Sequence, residues 1–374
     1  MWVTSSPNTA ITPTAVALGN FDGVHRGHQQ VVRPILEVSG APAALTLPKS
    51  ALNRREQNHW LSLRENAHQS SETGMQTDEH LISTVVTFNP HPREFFTGQR
   101  RGLLTPPPEK VRQLKTMGVE QLVLLPFDRQ LASLSPEDFV EKILVQHLKA
   151  RRISVGEDFR FGCKRAGTAA DLKAIAGSYG IPVTLVPLET CEGERISSSI
   201  IRQALESGDL EQANRLLGRS YTLTGLVVKG QQLGRTIGFP TANLQLPPEK
   251  FLPRFGVYCV RVYNEVESLS QGTQPQATGN IETQATSLTT AKEASVLPIE
   301  AIGVMNIGCR PTVEGTSPTV EVHLLDWSGD LYGKTLTVSL EKFLRSEQKF
   351  TSLEALKAQI HADCEAARDF LSSH

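Results

Sequence analysis

The run A-V-A-L-G-N-F-D-G-V-H-R-G-H, from Ala15 to His28, decides the first half of the fold. Ala15 to Phe21 reads as a short buried strand, and the glycine and aspartate that follow break it into a loop. A helix is expected to begin near His28. A strand that gives way to a helix through a glycine turn presents unpaired N–H groups to an anion. Gly27 removes a side chain where backbone and phosphate must approach closely, and His25 and His28 are placed to donate hydrogen bonds to charge on phosphorus oxygens. Gly19, Asn20 and Phe21 complete a candidate triphosphate grip. A plain surface loop would explain one histidine, but H-x-G-H directly after a strand favours the functional reading.

Outward from that run, strands are expected at Ser83 to Phe88, Gln121 to Phe127, Arg152 to Gly156 and Pro182 to Val186. Helical stretches separate them: Pro108 to Gly118, and Ser135 to Leu144, capped by Ser135 with Pro136 at the first helical position. Alternation of this kind predicts a doubly wound parallel α/β sheet. After Gly218 the pattern changes to Y-T-L-T-G-L-V-V-K, G-V-Y-C-V-R-V, A-I-G-V-M-N-I-G, V-E-V-H-L-L-D-W and L-T-V-S-L, separated by turns alone. That half is expected to be all-β, an antiparallel barrel or sandwich, with a C-terminal helix beginning at Thr351. The expected division is therefore 14–207, a helical connector 208–219, and 220–374. Two polar stretches, 49–80 and 264–297, read as inserted surface loops.

The chain has 374 residues, too many for one core, and 39% of them are hydrophobic. A formal charge of -1 lacks the basic excess that tracking nucleic acid requires. No run is apolar and long enough to span a bilayer, and the N-terminus lacks a secretory pattern. The five cysteines lie far apart, so neither a zinc knuckle nor a redox pair is read from their spacing, and a reducing cytoplasm is expected. Small molecules are the expected partners; weak or transient self-association stays open.

Four further blocks carry chemistry. T-F-N-P-H-P-R-E-F-F (Thr87 to Phe96) holds Asn89 together with Pro90 and Pro92, and the two proline rings would stiffen a pocket wall. In V-G-E-D-F-R-F-G (Val155 to Gly162) aromatic rings beside charges suit stacking on a flat heterocycle, or plain core. In I-S-S-S-I-I-R, Ser197, Ser198 and Ser199 sit at a helix start, and Arg202 has a forked guanidinium suited to phosphate. K-G-Q-Q-L-G-R-T-I-G-F-P-T-A-N-L (Lys229 to Leu244) is a glycine-punctuated loop with Gly230, Gly234, Gly238 and Pro240. It ends in Thr241 and Asn243, hard oxygen ligands of the kind magnesium accepts beside substrate phosphates.

These blocks, across nearly the whole chain, resemble the H-x-G-H nucleotidyltransferases and, within them, the bacterial bifunctional riboflavin kinases and FMN adenylyltransferases. Asn89 stands where that family carries an acid, and Ser199 replaces its threonine while keeping a hydroxyl. The run G-F-P-T-A-N, with G-V-M-N-I-G-C-R-P-T, E-V-H-L-L-D-W and F-L-R-S-E-Q-K-F, resembles the family's kinase half. The resemblance implies ATP-dependent phosphorylation of riboflavin to FMN in the C-terminal half, then transfer of AMP from ATP to FMN in the N-terminal half, giving FAD and pyrophosphate, both with Mg2+. It implies that Asp158 and Phe161 border the flavin and that Glu321, read as opening the strand E-V-H-L-L-D-W, is the kinase base, a role that also fits a carboxylate near an attacking hydroxyl. Arg345 and Phe350 would close over the flavin ring, and His323, two residues from Glu321 on the same face, reads as structural. The residues alone leave open a different acceptor for the N-terminal half, or a chain that only carries flavin.

Overall fold

In the computed structural model, residues 1–39, 80–230, 232–264, 300–312 and 315–373 are described. The two polar stretches lie outside them except for His80 and Asn264. The chain forms two compact units, Met1–Ser198 and Ser199–His374.

The first unit is built on β1 (Trp2–Thr4), β2 (Thr14–Leu18), β3 (Ile82–Asn89), β4 (Gln121–Pro126) and β5 (Ala150–Gly156). The hairpin β6 (Arg160–Phe161) with β7 (Gly167–Thr168) follows, and then β8 (Val183–Val186) and the hairpin β9 (Thr190–Cys191) with β10 (Glu194–Arg195). One six-stranded sheet runs in the order β1-β4-β3-β2-β5-β8, every pairing parallel. Alternation along its strands feeds two cores. In β2, Ala15 and Ala17 face a cluster with Val31, Val32 and Ile35 of helix α1 (Arg26–Val38). Val16 and Leu18 face the opposite cluster, with Phe139 and Leu144. A strand buried on both faces reads as a continuous apolar run, and β2 is buried throughout. β1, a three-residue edge strand, was not legible in the sequence.

Helices α2 (Pro92–Thr97) and α3 (Pro107–Thr116) leave the carboxyl end of β3 before β4 begins. Ser135 caps the next helix as expected, its hydroxyl accepting the Asp138 N–H, but from Phe139 to His147 the backbone widens to a π pattern. Helix α4 (Ala169–Ser178) opens with a capping box between Thr168 and Asp171. Helices α5 (Ser198–Ser207) and α6 (Leu210–Leu217) follow, the latter ended by left-handed Gly218.

The second unit resolves the choice between barrel and sandwich. Strands β11 (Tyr221–Val228), β12 (Ala242–Gln245), β13 (Gly256–Asn264), β14 (Glu300–Thr312), β15 (Gly315–Leu324) and β16 (Thr335–Arg345) close into a barrel in the order β11-β12-β15-β14-β13-β16. Every pairing in it is antiparallel. Closure removes the edges an open sheet would expose. Helix α5's neighbour in chain order aside, the barrel's main helical cover is α7 (Leu353–Ser372), which lays Cys364, Ala367 and Leu371 on Val257, Cys259, Val304 and Leu325. Glu321 does not open its strand: β15 starts at Gly315, so the carboxylate sits inside the ladder opposite Asn243 of β12 and Asn306 of β14.

Candidate active sites

In the first unit the helix starts earlier than expected, at Arg26, because His25 caps it: its Nδ1 accepts the His28 N–H at 3.3 Å. The two imidazoles stack, centroids 3.6 Å apart, and His28 also lies 5.2 Å from the Phe21 ring. His25 and Phe21 are buried. A side chain at position 27 would come within 3.3 Å of the His25 ring, so Gly27 leaves room for the capping imidazole as well as for a ligand.

The turn between strand and helix is strained. Phe21 has φ 47° and Val24 φ 42°, left-handed values that cost side-chain-bearing residues roughly 1–3 kcal/mol each. Residues remote in sequence hold it. The Thr87 hydroxyl and the Lys110 amine both donate to the Asn20 carbonyl, at 2.9 and 2.8 Å. The Gly23 N–H donates to the Thr105 hydroxyl, the Thr105 N–H to the Asp22 carboxylate, and the Ser198 hydroxyl to the Asp22 carbonyl. Burial pushes Lys110 down from its ordinary 10.5 to about 8, against the opposing pull of the Asp22 charge. Sequence reasoning missed Asp22, Thr105 and Lys110. Asp22 lay inside the decisive run, but nothing local marks Thr105 or Lys110.

Asn89 and Pro90, joined by a cis peptide bond, end β3 in the open, and Pro92 begins α2. Beside them Phe88, Phe95, Phe96 and Phe127 form edge-on ring pairs 5.3–5.8 Å apart. Phe96 is two-thirds exposed. Asp158 is exposed and forms an ion pair with Arg195. Phe161 lies in the core, between Phe139 and Phe159, and Gly167 is needed there because any Cβ would strike its ring. Arg202 is buried with its guanidinium 5.6 Å from the Phe251 ring, while Ser199 and Ser197 lie at the start of α5.

In the barrel the structure brings Thr241, Asn243 and Glu321 together. The Thr241 hydroxyl donates to a Glu321 oxygen at 3.4 Å, and Asn243 lies opposite Glu321 in the β12–β15 ladder. Two glycines are dictated by contact: a Cβ at Gly230 would fall 2.4 Å from the Asn243 amide, and one at Gly234 would fall 2.2 Å from the Phe239 carbonyl. Gly238 has φ 92° in open space. His323 holds the Pro240 carbonyl at 2.8 Å and meets the Phe239 ring edge-on, with His361 of α7 on the same ring. A cavity of about 720 Å³ opens beside Thr241, lined also by Gln232, Arg235, Trp327, Asp330 and Tyr332. The last three were missed; an aromatic and an acid in the turn after β15 were their only signal. Arg345 does not reach into open space: it forks onto Asp363 of α7 at 2.7–3.1 Å, with Phe350 5.8 Å away.

An α/β unit with a strand–glycine turn–helix and a barrel with a glycine loop beside a carboxylate have the architecture of a two-site transferase. Comparison with known proteins makes this particular. A family model described as riboflavin kinase matches residues 217–371, and one described as FAD synthetase matches residues 8–58 and 67–200. Curated bifunctional riboflavin kinase/FMN adenylyltransferases are 37% identical in Escherichia coli K12 over 95% of this chain and 92% of theirs, and 33% identical in Haemophilus influenzae over 98% and 97%. A crystal structure described as a macrolide-efflux protein from Streptococcus pneumoniae covers 98% of both chains at 28% identity, with a TM-score of 0.71. The chain belongs to the bifunctional riboflavin kinase/FMN adenylyltransferase family, with its riboflavin kinase part C-terminal and its FAD synthetase part N-terminal. Among the described residues no helix is long and apolar enough to cross a membrane.

Proposed function

We propose that the barrel phosphorylates riboflavin through Glu321 and that the first unit adenylylates the resulting FMN through the His25–His28 turn. The observation that carries the kinase reading is the convergence of Glu321, Thr241 and Asn243 beside a cavity large enough for a nucleotide. Glu321 accepts the proton of the riboflavin hydroxyl as that oxygen attacks the γ-phosphorus of ATP, and ADP leaves. The glycine loop from Gly230 to Pro240 lets backbone N–H groups approach the phosphates.

Thr241 and Asn243 would hold Mg2+. A hydroxyl and an amide with one carboxylate nearby suit an ion that retains water and substrate phosphates as ligands, and among the described residues no denser cluster of acids, histidines and cysteines competes. Bound there, the ion would neutralise charge on the transferring phosphate.

In the first unit an oxygen of the FMN phosphate attacks the α-phosphorus of ATP and pyrophosphate leaves. The chemistry needs no covalent enzyme intermediate, so positioning and charge stabilisation carry it. The N-terminus of α1 and the two imidazoles supply donors to the developing charge, Gly19 to Phe21 shape the turn, and Ser197 and Ser198 contact the triphosphate. Asn89, Pro90, Pro92, Asp158 and Phe161 are the residues that the family resemblance gives to the flavin pocket. The half-exposed phenylalanine cluster is the surface there that offers ring faces, whereas Phe161 acts from behind the wall as packing.

Separate sites are testable on one polypeptide. Glu321→Gln is expected to lower FMN formation from riboflavin by on the order of 10²–10⁴-fold while leaving FAD formation from supplied FMN intact; equal loss of both would contradict the assignment.

A further inference from the structure

The turn that carries His25 and His28 holds two bulky residues, Phe21 and Val24, at left-handed φ, and such a backbone persists only where its surroundings over-determine it. Thr87, Thr105 and Ser198 do this with neutral donors and acceptors. Lys110 is different in kind. It reaches the Asn20 carbonyl at 2.8 Å, beside Thr87, from a position that is only 7% exposed. A carbonyl already served by a hydroxyl does not require an ammonium, and burying one is unfavourable unless its charge is used. The Asp22 charge offsets part of the burial penalty on Lys110, and Asp22 is itself fixed, its carboxylate taking the Thr105 N–H and its carbonyl the Ser198 hydroxyl. Lys110 therefore clamps the turn at residue 20, while Thr105 and Ser198 hold it at residue 22, just ahead of the strained Val24 and the capping His25.

We propose that Lys110 is a positioning residue for adenylyl transfer: its buried amine, donating to the Asn20 carbonyl, holds the turn in the form that presents His25 and His28 to the phosphates. The inference rests on the reading of those histidines as phosphate contacts. Lys110 acts through the turn, since its amine is engaged by backbone.

The experiment uses full-length Lys110→Met, Lys110→Arg and His28→Ala, each with ATP, FMN and Mg2+, and follows FAD and pyrophosphate. FMN formation from riboflavin on the same polypeptide serves as the control. Lys110→Met is expected to lower kcat for FAD formation about 10–100-fold, as a misplacement near 1 Å does, with KM for FMN changed by less than about threefold. Lys110→Arg, which keeps the charge, is expected to recover kcat to within about tenfold of the native enzyme. Kinase turnover stays unchanged in both. Native kcat in Lys110→Met while His28→Ala is impaired would overturn the clamp; native kcat in His28→Ala would overturn the phosphate reading instead. Should Lys110→Met fail to fold, Lys110→Arg decides: recovery supports the clamp, and a loss as deep as that of His28→Ala overturns it.

Discussion

His25 and His28 stack face to face, their planes 17° apart, while the Nδ1 of the first accepts the backbone N–H of the second. One imidazole thus caps the helix and is buried; the other lies over it. Their substitutions should differ. His28→Ala is expected to lower FAD formation by on the order of 10²–10³-fold with little change in melting temperature, whereas His25→Ala should also destabilise the first unit by roughly 0.5–2 kcal/mol through the lost cap. Activity assays combined with thermal unfolding separate the two, and identical profiles would refute the division of labour.

The Asn243 amide lies directly over Gly230. Gly230→Ala should push that amide aside, raising the Mg2+ concentration needed for half-maximal kinase activity several-fold and leaving FAD formation untouched. A titration of both activities with Mg2+ reads this out; an unshifted kinase curve would remove Asn243 from the metal.

Arg345 is held by a forked ion pair to Asp363, which is buried and also accepts from Gln359. Asp363→Ala leaves a guanidinium without its carboxylate and is expected to cost about 3 kcal/mol in the barrel unit. If Arg345 also orders the flavin end of the site, KM for riboflavin rises in the same variant; a raised KM without loss of stability would argue that the pair is not a packing element.

Lys110 gives a pH signature. Its folded pKa is about 8 against an ordinary 10.5. Below about 8 both states hold the proton and the burial penalty is fully present. Between 8 and 10.5 the unfolded chain binds a proton that the folded one has released, so this group's contribution to stability rises with pH. Relative to Lys110→Met, the native chain should therefore gain melting temperature from pH 7 to pH 9.5, by on the order of several degrees. A constant difference across that range would place the amine outside the core.

What the sequence conveyed and what it withheld divide along the range of the interactions. Strand, glycine turn and helix at Ala15 to His28 are local signals, and so were the alternating elements of the first unit and the turn-linked strands of the second. Glu321 was misplaced to a strand start because E-G-T-S-P, residues 314–318, has loop composition, yet Gly315 to Pro318 pair with Thr312 to Cys309 once β14 lies alongside. The residues alone favour a core role for Phe161 and the family resemblance a flavin role; Phe139 and Phe159 pack around it in the core. Asp330 and Tyr332 were unreadable as cavity residues because a turn's sequence does not say which loop it will face.

The turn at Asn20 to Val24 takes its shape from partners 67, 82, 83, 90 and 176 residues downstream. During synthesis, then, this segment emerges before its partners and matures late: until residue 110 has left the ribosome, the left-handed backbone at Phe21 and Val24 lacks the full support of Thr87, Thr105 and Lys110. The same dependence limits transplantation. Grafting the fourteen residues from Ala15 to His28 onto another strand and helix would carry over the letters of the motif without the conformation that makes them a site.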